Sequence, residues 1–522
     1  MAPKETDSNR PPQRTRWWPL ALIVALCAAR LIQVCVFRDY DRQFKVQQAA
    51  KALAASGVLC VAWLLLFSRM PVRRRFRWFG AILAAIGLMA GLLRFRGFTG
   101  DLLPILEWRW KNHDTARAPS LPPPPTNAAT APGLAAATNA FPQFLGPDRS
   151  GILPGPRLAD DWQARPPQLL WRRPVGAGWA GFAVQGRYAV TLEQALEQEQ
   201  ITCCDVTSGD RLWTHSYPAR CDSAEAGIGP RSVPTLAAGR VFATGGTGIL
   251  TCLDLATGTK LWSHDLVKEH QAAQPQYGFS VSPLALEEKV IVCAGGPNGH
   301  SVVAYESATG KLLWHGGNAI AGYSSPVLAR LAGAPQVLIY QGFGLSAHDP
   351  GTGTVLWEFP QPSGPNVALP LVIGSNQVLI STGYGVGSRL VKVDRGQDGA
   401  WKAELVWKSI RLKSKFANPI LLDGFVYGLD DGALVCLDPR DGQWRWKATR
   451  YGHGQMLLVA GRLLIMAENG EVALAEPSPE RFRELTRFRA LESRTWNPPA
   501  LAGELLLVRN DLEAACYRLP RQ

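Results

Sequence analysis

The sequence predicts an all-β fold, an eight-bladed β-propeller of four-stranded blades, and three observations predict it. A segment that reads LTCLDLATGTKLWSH at 250–264 returns in variant form along the chain. The aromatic residues that end these copies are separated by 42, 49, 52, 43, 50, 39 and 42 residues, a period that fits one blade. A proline precedes most copies and opens a short apolar strand. The anchors are Trp171, Trp213, Trp262, Trp314, Trp357, Trp407, Trp446 and, with Phe in place of Trp, Phe488.

Each copy has the pattern of a β-hairpin. Apolar and polar residues alternate over 250–255, a Thr-Gly turn follows, and a second strand ends on the aromatic anchor. Gly258, Gly310 and Gly353 fall where a tight turn needs positive φ. The anchor offers a large apolar area, so we expect it to seal one blade against the next.

The prolines mark the innermost strand of each blade. Proline has no N–H to donate, which suits a strand with one edge toward the central channel. The prolines in this register are Pro234, Pro283, Pro326, Pro370, Pro419 and Pro499.

The A-x-D-x-x-T-G-x-x-x-W repeats resemble those of the pyrroloquinoline-quinone-type (PQQ-like) eight-bladed β-propeller family, which includes BamB-like proteins. The resemblance covers about 141–522, and FPQFLGPDRSG at 141–151 is similar to the segment that precedes the propeller in many bacterial members. It implies a membrane-anchored bacterial member with this fold, but a fold does not specify an activity.

The two ends of the domain are predicted to share one blade. Tiling from 178 leaves Trp496 to Leu519 with only three strands. Gln168 to Val175, which carries Trp171, is predicted to supply the missing outer strand. The sequence therefore predicts a ring closed by strands from both ends.

The positive charge is confined to the N-terminal part. The chain has 522 residues and a formal net charge of +13, yet 19 basic and 7 acidic residues lie in 1–117, which leaves 36 and 35 for the remainder. Because this charge flanks apolar segments, it is typical of an integral membrane protein and argues against nucleic acid as a partner.

Three apolar stretches, Trp17 to Phe37, Leu53 to Phe67 and Trp78 to Leu93, predict three transmembrane helices. A cleaved signal peptide is the competing interpretation of the first stretch. No A-x-A site precedes Arg38 and two further apolar stretches follow, which favours the membrane anchor.

The loops predict the orientation. The second loop, 68–77, carries five arginines and no acidic residue, which places it in the cytoplasm together with the N-terminus. The predicted organisation is a cytoplasmic tail at 1–16, a membrane anchor at 17–93, an interfacial segment and Pro/Ala-rich linker at 94–140, and a periplasmic propeller at 141–522. The predicted location is therefore the bacterial inner membrane, with several spans.

The cysteines are predicted to be inert. Cys203 and Cys204 are adjacent, as in quinoprotein dehydrogenases that carry a vicinal disulfide, but Cys203 occupies the same repeat position as Cys252, Cys436 and Ala304. This position favours a small buried residue. The sequence has no C-x-x-C, H-E-x-x-H or C-x-x-C-H motif, so neither a metal site nor attached haem is predicted.

Polar and aromatic residues at the starts of the innermost strands are predicted to converge on one mouth of the channel. Such a funnel could hold a small polar or anionic ligand, or it could simply bind channel water and strand ends. The candidates are Trp179, Arg231, Ser280, Ser282, Tyr323, Ser325, Asn366, Lys415, Asn418, His453, Gln455, Trp496 and Asn497, with Glu193 and Gln194 from blade 1.

Two classes of function are compatible with the sequence. The first is a membrane-tethered scaffold that binds an envelope protein or a ligand, as the resemblance to BamB-like proteins implies. The alternative is a quinoprotein-type dehydrogenase that uses PQQ and calcium at the channel. The short connections between strands, and the lack of a Glu/Asn/Asp set that matches a calcium–quinone site, favour the scaffold without a cofactor or catalytic residues.

Overall fold

The computed structural model describes residues 15–37, 41–110, 140–223, 225–361 and 364–522. The chain divides into two compact units, Met1–Asn112 and His113–Gln522. The predicted tail up to residue 14, and residues 111–139 with most of the predicted linker, lie outside the described residues.

The first unit contains the predicted helices. They are α1 (Trp18–Cys35), α2 (Arg42–Ala62), which continues as a π-helical turn over Trp63–Phe67, and α3 (Val72–Leu92). All three are long and apolar enough to cross a membrane. The helices α2 and α3 begin earlier than the apolar stretches, because Asp41 caps the first and Pro71 precedes the second.

A β-hairpin follows α3 where the sequence predicts an interfacial segment. It consists of β1 (Leu93–Phe98) and β2 (Pro104–Trp108). Arg42 Nε lies 2.9 Å from the carboxylate of Asp101 in the hairpin loop, which ties the hairpin to the start of α2. The hairpin therefore lies at the end of the helices opposite to the arginines of 69–77.

The second unit is an eight-bladed propeller, which confirms the predicted fold class. Three strands precede the first complete hairpin: β3 (Ala140–Phe141), β4 (Ile152–Leu153) and β5 (Gln168–Pro174). Blade 1 has β6 (Ala183–Gln185), β7 (Tyr188–Ala195), β8 (Gln198–Asp205) and β9 (Arg211–Pro218), and a small hairpin follows, β10 (Asp222–Ser223) and β11 (Gly227–Ile228). Blade 2 has β12 (Thr235–Ala237), β13 (Arg240–Thr244), β14 (Ile249–Asp254) and β15 (Lys260–Asp265), followed by the short helix α4 (Leu266–Glu269). Blade 3 has β16 (Leu284–Leu286), β17 (Lys289–Cys293), β18 (Val302–Glu306) and β19 (Leu312–Gly316), and blade 4 has β20 (Val327–Leu331), β21 (Ala334–Gln341), β22 (Gly344–His348) and β23 (Val355–Pro360).

The remaining blades repeat this order. Blade 5 has β24 (Leu371–Ile373), β25 (Gln377–Thr382), β26 (Gly387–Arg395) and β27 (Trp401–Ser409), and blade 6 has β28 (Ile420–Leu422), β29 (Phe425–Asp430), β30 (Ala433–Asp438) and β31 (Gln443–Arg450). Blade 7 has β32 (Gln455–Val459), β33 (Arg462–Met466), β34 (Glu471–Glu476) and β35 (Arg483–Arg489), and blade 8 has β36 (Ala500–Ala502), β37 (Leu505–Arg509) and β38 (Glu513–Arg518), with β5 as its outer strand.

The proline mark and the ring closure are both as predicted. Each innermost strand from blade 2 to blade 6 starts directly after its proline, as at Pro234 and Thr235. In blade 8, β38 pairs antiparallel with β5, so that Cys516 lies opposite Trp171. Both ends of the domain therefore contribute to one sheet.

The tryptophan anchors pack between neighbouring blades. The turn residue Gly258 has φ +73°, and a Cβ on it would come 2.6 Å from the Trp213 ring of the preceding blade. Trp213 Nε1 also donates to Leu255 O at 2.9 Å. The same indole bond to the next blade is made by Trp171, Trp262, Trp407 and Trp446. Each such anchor thus joins its neighbouring blade by an apolar contact and a hydrogen bond.

Two anchors depart from this pattern. Trp357 Nε1 donates to Gln336 Oε1 of its own blade at 2.7 Å. Trp314 is buried, and its Nε1 has no acceptor among the residues that the structure describes. The apolar contact is thus common to the repeat, whereas the hydrogen bond is not.

The segment 140–153 enters the channel from the end opposite to the predicted mouth. Its first strand β3 pairs with β6 of blade 1, and β4 pairs parallel with β32 of blade 7. Between these strands Arg149, at φ +61°, places a fully buried guanidinium among the innermost strands. The segment therefore blocks the channel from below.

Candidate functional site

Loops before the innermost strands and the hairpin loops between second and third strands lie on one face of the propeller, here called the mouth face. The side chains around its centre form a ring, which we call the collar. The collar consists of Trp179, Arg231, Tyr277, Tyr323, Tyr384, Lys415, Phe416, Arg494 and Trp496.

On one side of the collar an arginine stacks on two indoles. The rings of Trp179 and Trp496 are 4.7 Å apart between centroids. Arg494 Cζ lies 4.6 Å from the first ring centroid and 4.3 Å from the second. Phe416 extends this aromatic surface, with its ring 5.2 Å from Trp496. Cation–π contacts of this kind hold a guanidinium in place.

On the other side three tyrosines surround two cations. The rings of Tyr277 and Tyr323 are 5.5 Å apart, and Arg231 Nε donates to Tyr277 O at 2.5 Å. Lys415 Nζ lies 4.6 Å from the ring centroid of Tyr384. Burial raises the pKa of Tyr384 above its usual value, so this phenol remains neutral at physiological pH.

Two carboxylates accompany the collar. Tyr277 Oη donates to Glu225 Oε2 at 2.9 Å on the exposed rim. Glu468 accepts from Trp496 Nε1 and from the backbone N–H of His453, each at 2.9 Å. The collar is therefore cationic and aromatic, with acidic groups bonded to its members.

Several predicted ligand residues form hydrogen bonds between blades. Val233 N donates to Ser282 Oγ at 2.9 Å, and Ser282 N donates to Ser325 Oγ at 2.9 Å. Leu369 N donates to Asn418 Oδ1 at 2.7 Å. These bonds run around the channel from blade to blade, so the serines and Asn418 hold the innermost strands together.

The other predicted amides have similar partners. Asn366 Nδ2 donates to Gln341 O at 2.5 Å, and Gln455 Nε2 donates to Trp496 O at 3.1 Å. Asn497 Nδ2 donates to Gly178 O at 3.1 Å and to Ala180 O at 2.7 Å, which joins blade 8 to blade 1. The backbone next to Trp179 and Trp496 is thereby positioned.

Glu193 and Gln194 lie at the outer end of β7 and hold the surrounding loops. Glu193 accepts from Gly176 N at 2.8 Å and pairs with Arg211 at 2.9 Å. Gln194 Nε2 donates to Ala219 O at 2.7 Å. Of the predicted candidates, the structure thus brings Trp179, Arg231, Tyr323, Lys415 and Trp496 together in the collar.

Arg149 forms the floor below the collar, and sequence reasoning did not single it out. Its Nη1 donates to Ser282 O at 3.1 Å and to Pro326 O at 2.9 Å, and its Nη2 donates to Pro283 O and, at 3.3 Å, to Thr235 Oγ1. Burial without a carboxylate partner lowers the pKa of Arg149 to about 9. A positive charge that bonds to neutral oxygens thus lies in the channel.

A second buried arginine, Arg509, lies between blades 8 and 1. It donates to Leu192 O at 2.7 Å, to Thr191 Oγ1 at 2.8 Å and to Gly176 O at 3.0 Å. Burial lowers its pKa to about 10. Arg149 lies outside the repeats, which is why periodicity did not mark it, and Arg509 ends the second strand of blade 8. Tyr277, Tyr384, Phe416 and Arg494 were also missed, although Phe416 and Arg494 lie within two residues of predicted candidates.

Trp179 Nε1 and Arg231 Nη1 of the collar are buried and have no acceptor among the described residues. Arg231 Nη2 donates to Gly227 O at 2.9 Å, and a Cβ on Gly227 would come 3.5 Å from Trp179 Nε1. The side chains of Trp179 and Arg231 therefore both adjoin Gly227.

The adjacent cysteines lie away from the mouth. Cys203 and Cys204 are near the C-terminal end of β8, buried on opposite faces of blade 1. Burial raises the pKa of both thiols, which disfavours the reactive thiolate.

The comparisons with known proteins agree with the fold. Residues 197–448 match the profile of the family described as "Outer membrane protein assembly factor BamB". The propeller thus resembles PQQ-like, BamB-like propellers, as the repeats predict. No curated protein sequence matches the chain.

Solved structures share this architecture at low sequence identity. BamB from Moraxella catarrhalis is 16% identical, with a TM-score of 0.50, over 68% of this chain and 100% of that one. The quinohemoprotein alcohol dehydrogenase from Comamonas testosteroni is 12% identical, with a TM-score of 0.52, over 74% and 82% of the two chains. A europium-containing methanol dehydrogenase is 14% identical, with a TM-score of 0.50, over 73% and 91%. At these identities the similarity shows the fold alone.

Proposed function

We propose that this protein is a membrane-tethered scaffold whose propeller binds an envelope protein through its mouth face. The observation that carries this proposal is a set of apolar side chains on the loops of that face. Leu196, Ile320 and Phe343 are 79%, 51% and 55% exposed. Apolar groups at loop tips gain free energy when a partner covers them, and such groups mark interaction surfaces.

Ile320 and Phe343 belong to one patch beside the collar. Phe343 lies in the hairpin between β21 and β22, and a Cβ on its neighbour Gly342 would come 2.9 Å from Ile320. Tyr323 of the collar follows Ile320 by three residues. A partner that covers the patch would thus also reach the mouth.

The proposed location is the inner membrane, with the propeller in the periplasm. The exposed arginines Arg73, Arg74 and Arg77 lie at the start of α3, which favours a cytoplasmic position for this loop. The hairpin β1–β2 lies at the other end of the helices, and the chain continues from there toward the propeller. The family description, which names an outer-membrane assembly factor, supports an envelope partner.

The channel is a poor fit for PQQ with a divalent cation. The carbonyl oxygens of Ser282, Pro283 and Pro326 already accept hydrogen bonds from Arg149, whose charge would repel a cation there. Among the described residues no cluster of three or more His, Cys, Asp or Glu side chains has metal-binding geometry. These observations favour the scaffold over the quinoprotein-type dehydrogenase.

Photo-crosslinking in intact cells tests the scaffold. A photoreactive amino acid at Phe343 or Ile320 should give a discrete crosslinked envelope protein, whereas the same probe at Leu405, which is exposed on the outer strand of blade 5, should not. Equal crosslinking from all three positions would contradict a specific mouth-face interaction. Reduction of an electron-accepting dye by the purified protein with PQQ and Ca²⁺ would instead support the dehydrogenase.

Alkaline phosphatase fusions test the proposed orientation in the membrane. Alkaline phosphatase fused after Ala140 should be active, because it folds only outside the cytoplasm, and a fusion at Arg74 should be inactive. The reverse pattern would refute the periplasmic placement.

A further inference from the structure

We infer that the mouth receives a carboxylate side chain from an acidic, partly apolar peptide segment of the protein partner. This inference rests on the proposed scaffold function and specifies what the scaffold recognises. It starts from Trp179 Nε1 and Arg231 Nη1, which have no acceptor in the described part of the chain and belong to side chains on adjacent blades beside Gly227.

These two donors carry a free-energy cost in the protein without a bound partner. A buried N–H without an acceptor loses its bond to water and gains none in return. Trp179 is only 6% exposed, so its indole N–H is held in the interior of the collar. An anionic acceptor that bonds to these N–H groups would remove this cost.

The charges beneath and around the donors favour an anion. Arg149 bonds to Thr235, which follows Arg231 by four residues at the start of blade 2. Its guanidinium has neutral oxygens as partners, so its field reaches the mouth without a counter-charge in direct contact. Arg494 adds a stacked guanidinium over Trp179.

The acidic groups near the mouth are already bonded elsewhere. Glu225 accepts from Tyr277 on the rim, and Glu468 accepts from Trp496 and His453. Glu199, behind Arg231, accepts from Tyr217 Oη and Gly246 N at 2.9 and 2.8 Å, and burial raises its pKa. None of these carboxylates is within hydrogen-bond distance of Trp179 Nε1 or Arg231 Nη1 in the described part of the chain.

The surroundings of the mouth favour a peptide over a small free anion. Ile320 and Phe343 offer an exposed apolar surface where residues that flank the carboxylate would pack, and Ile320 precedes Tyr323 of the collar by three residues. Because the two donor atoms are covered, the carboxylate enters by displacing a collar side chain, and the apolar contacts supply free energy for that movement.

Calorimetric titration of the full-length protein in nanodiscs tests the inference. The probe is the capped peptide acetyl-Ser-Glu-Leu-Glu-Phe-Glu-Ser-amide, and its control has Gln in place of each Glu. We expect the Gln peptide to bind at least about tenfold more weakly, because hydrogen bonds to an ionised acceptor are roughly twice as strong as neutral ones. Equal binding of the two peptides, or binding of neither, would overturn the inference.

Two matched variants locate the binding. Trp179→Phe removes an N–H that has no acceptor among the described residues, so folding is retained while binding of the Glu peptide weakens by about tenfold. Trp314→Phe removes an equally unpartnered indole N–H at the interface of blades 3 and 4, and binding should remain unchanged. Equal effects of the two substitutions on binding would overturn the assignment.

Parallel titrations with inorganic phosphate and with PQQ test whether a small anion binds in place of the peptide. Either of them binding more tightly than the peptide, with sensitivity to Trp179→Phe, would overturn the peptide as the ligand. Crosslinks from Phe343 that persist while the peptide fails to bind would refute this inference and leave the scaffold intact.

Discussion

The two ends of the channel are closed in different ways. At the mouth, side chains close it through ring stacking and cation–π contacts, and some donors there lack acceptors. At the opposite end, the backbone of 140–153 closes it by strand pairing with blades 1 and 7. Side chains can change rotamer at small cost, whereas a paired backbone cannot, so the mouth is suited to binding and the lower end to stability.

The largest effect should come from removing the lower closure. A chain that begins at Gly178 lacks β3, β4, Arg149 and the outer strand β5, which leaves the edge of β38 unpaired. We expect it to aggregate, whereas a chain that begins at Ala140 should be soluble and unfold cooperatively. Size-exclusion chromatography and thermal unfolding distinguish the two, and identical behaviour would contradict the closing role of this segment.

The substitution Arg149→Met tests how much the guanidinium below the collar contributes to stability. The substitution leaves the carbonyls of Ser282, Pro283 and Pro326 without this donor. We expect a loss of roughly 3 to 5 kcal/mol in the free energy of unfolding, because each buried acceptor left unsatisfied costs about 1–3 kcal/mol. Urea unfolding measures it. Arg187→Met, at an exposed pair with Asp205, serves as the control and should change stability by less than about 0.5 kcal/mol.

Substitutions of the tryptophan anchors measure how much packing between blades contributes to the stability of the propeller. Trp262→Ala should cost about 3–5 kcal/mol, because it leaves a cavity between blades 2 and 3. Trp262→Phe loses the bond to Ser307 O and should cost about 1 kcal/mol more than Trp314→Phe, whose N–H has no acceptor in the described residues. Unfolding curves that rank the two Phe variants equally would argue against the hydrogen bond as a contributor.

The smallest effect concerns pH and four histidines between blades 2 and 3. His270 Nδ1 lies 2.9 Å from His300 Nδ1, His270 Nε2 lies 2.6 Å from Tyr305 Oη, and the rings of His300 and His315 stack at 3.9 Å. Burial lowers the pKa of His270 and of His300, and the neighbouring histidines lower both further. His264 and Glu269 also face this group, and the carboxylate of Glu269 opposes the shift at His270.

The direction of the pH dependence of stability follows because the folded protein favours the neutral form of these histidines. Because the folded pKa lies below the unfolded value of about 6.5, the stability that this group contributes is present above that pH and is lost as the pH falls through the folded pKa. Thermal unfolding between pH 7.5 and 5 should therefore show decreasing stability, and His300→Gln should flatten this dependence. An unchanged slope in the variant would assign the pH effect to other groups.

The repeat positions were predictable from the sequence because each repeat makes the same packing contacts with its neighbours. Trp213 and Gly258, or Pro234 and the strand that follows it, recur at fixed offsets, so their partners could be inferred from the period. The closing strand at Trp171 could also be predicted, because the last repeat lacked one strand and an anchor was left over.

The collar and the floor were only partly predictable. Arg231, Tyr323, Lys415 and Trp496 precede innermost strands, and this position alone marked them. Tyr384 enters from a hairpin loop, and Arg149 from a segment outside the repeats, so neither has a counterpart in another blade. Ser282, Asn366 and Asn497 have the residue types of a ligand site, but their hydrogen bonds between blades become visible only when the blades are placed side by side.

The segment 140–153 also determines where tension along the chain would enter the propeller. In the proposed membrane-tethered arrangement, tension along the chain reaches the propeller at Ala140. It is met first by the two-residue pairing of β3 with β6, then by the guanidinium of Arg149 lodged among blades 2, 3 and 4, and then by β4 on blade 7. The closing strand β5 bears load only after these points have yielded. In that proposed arrangement the segment 140–153 would take up tension before the ring closure at β5 does.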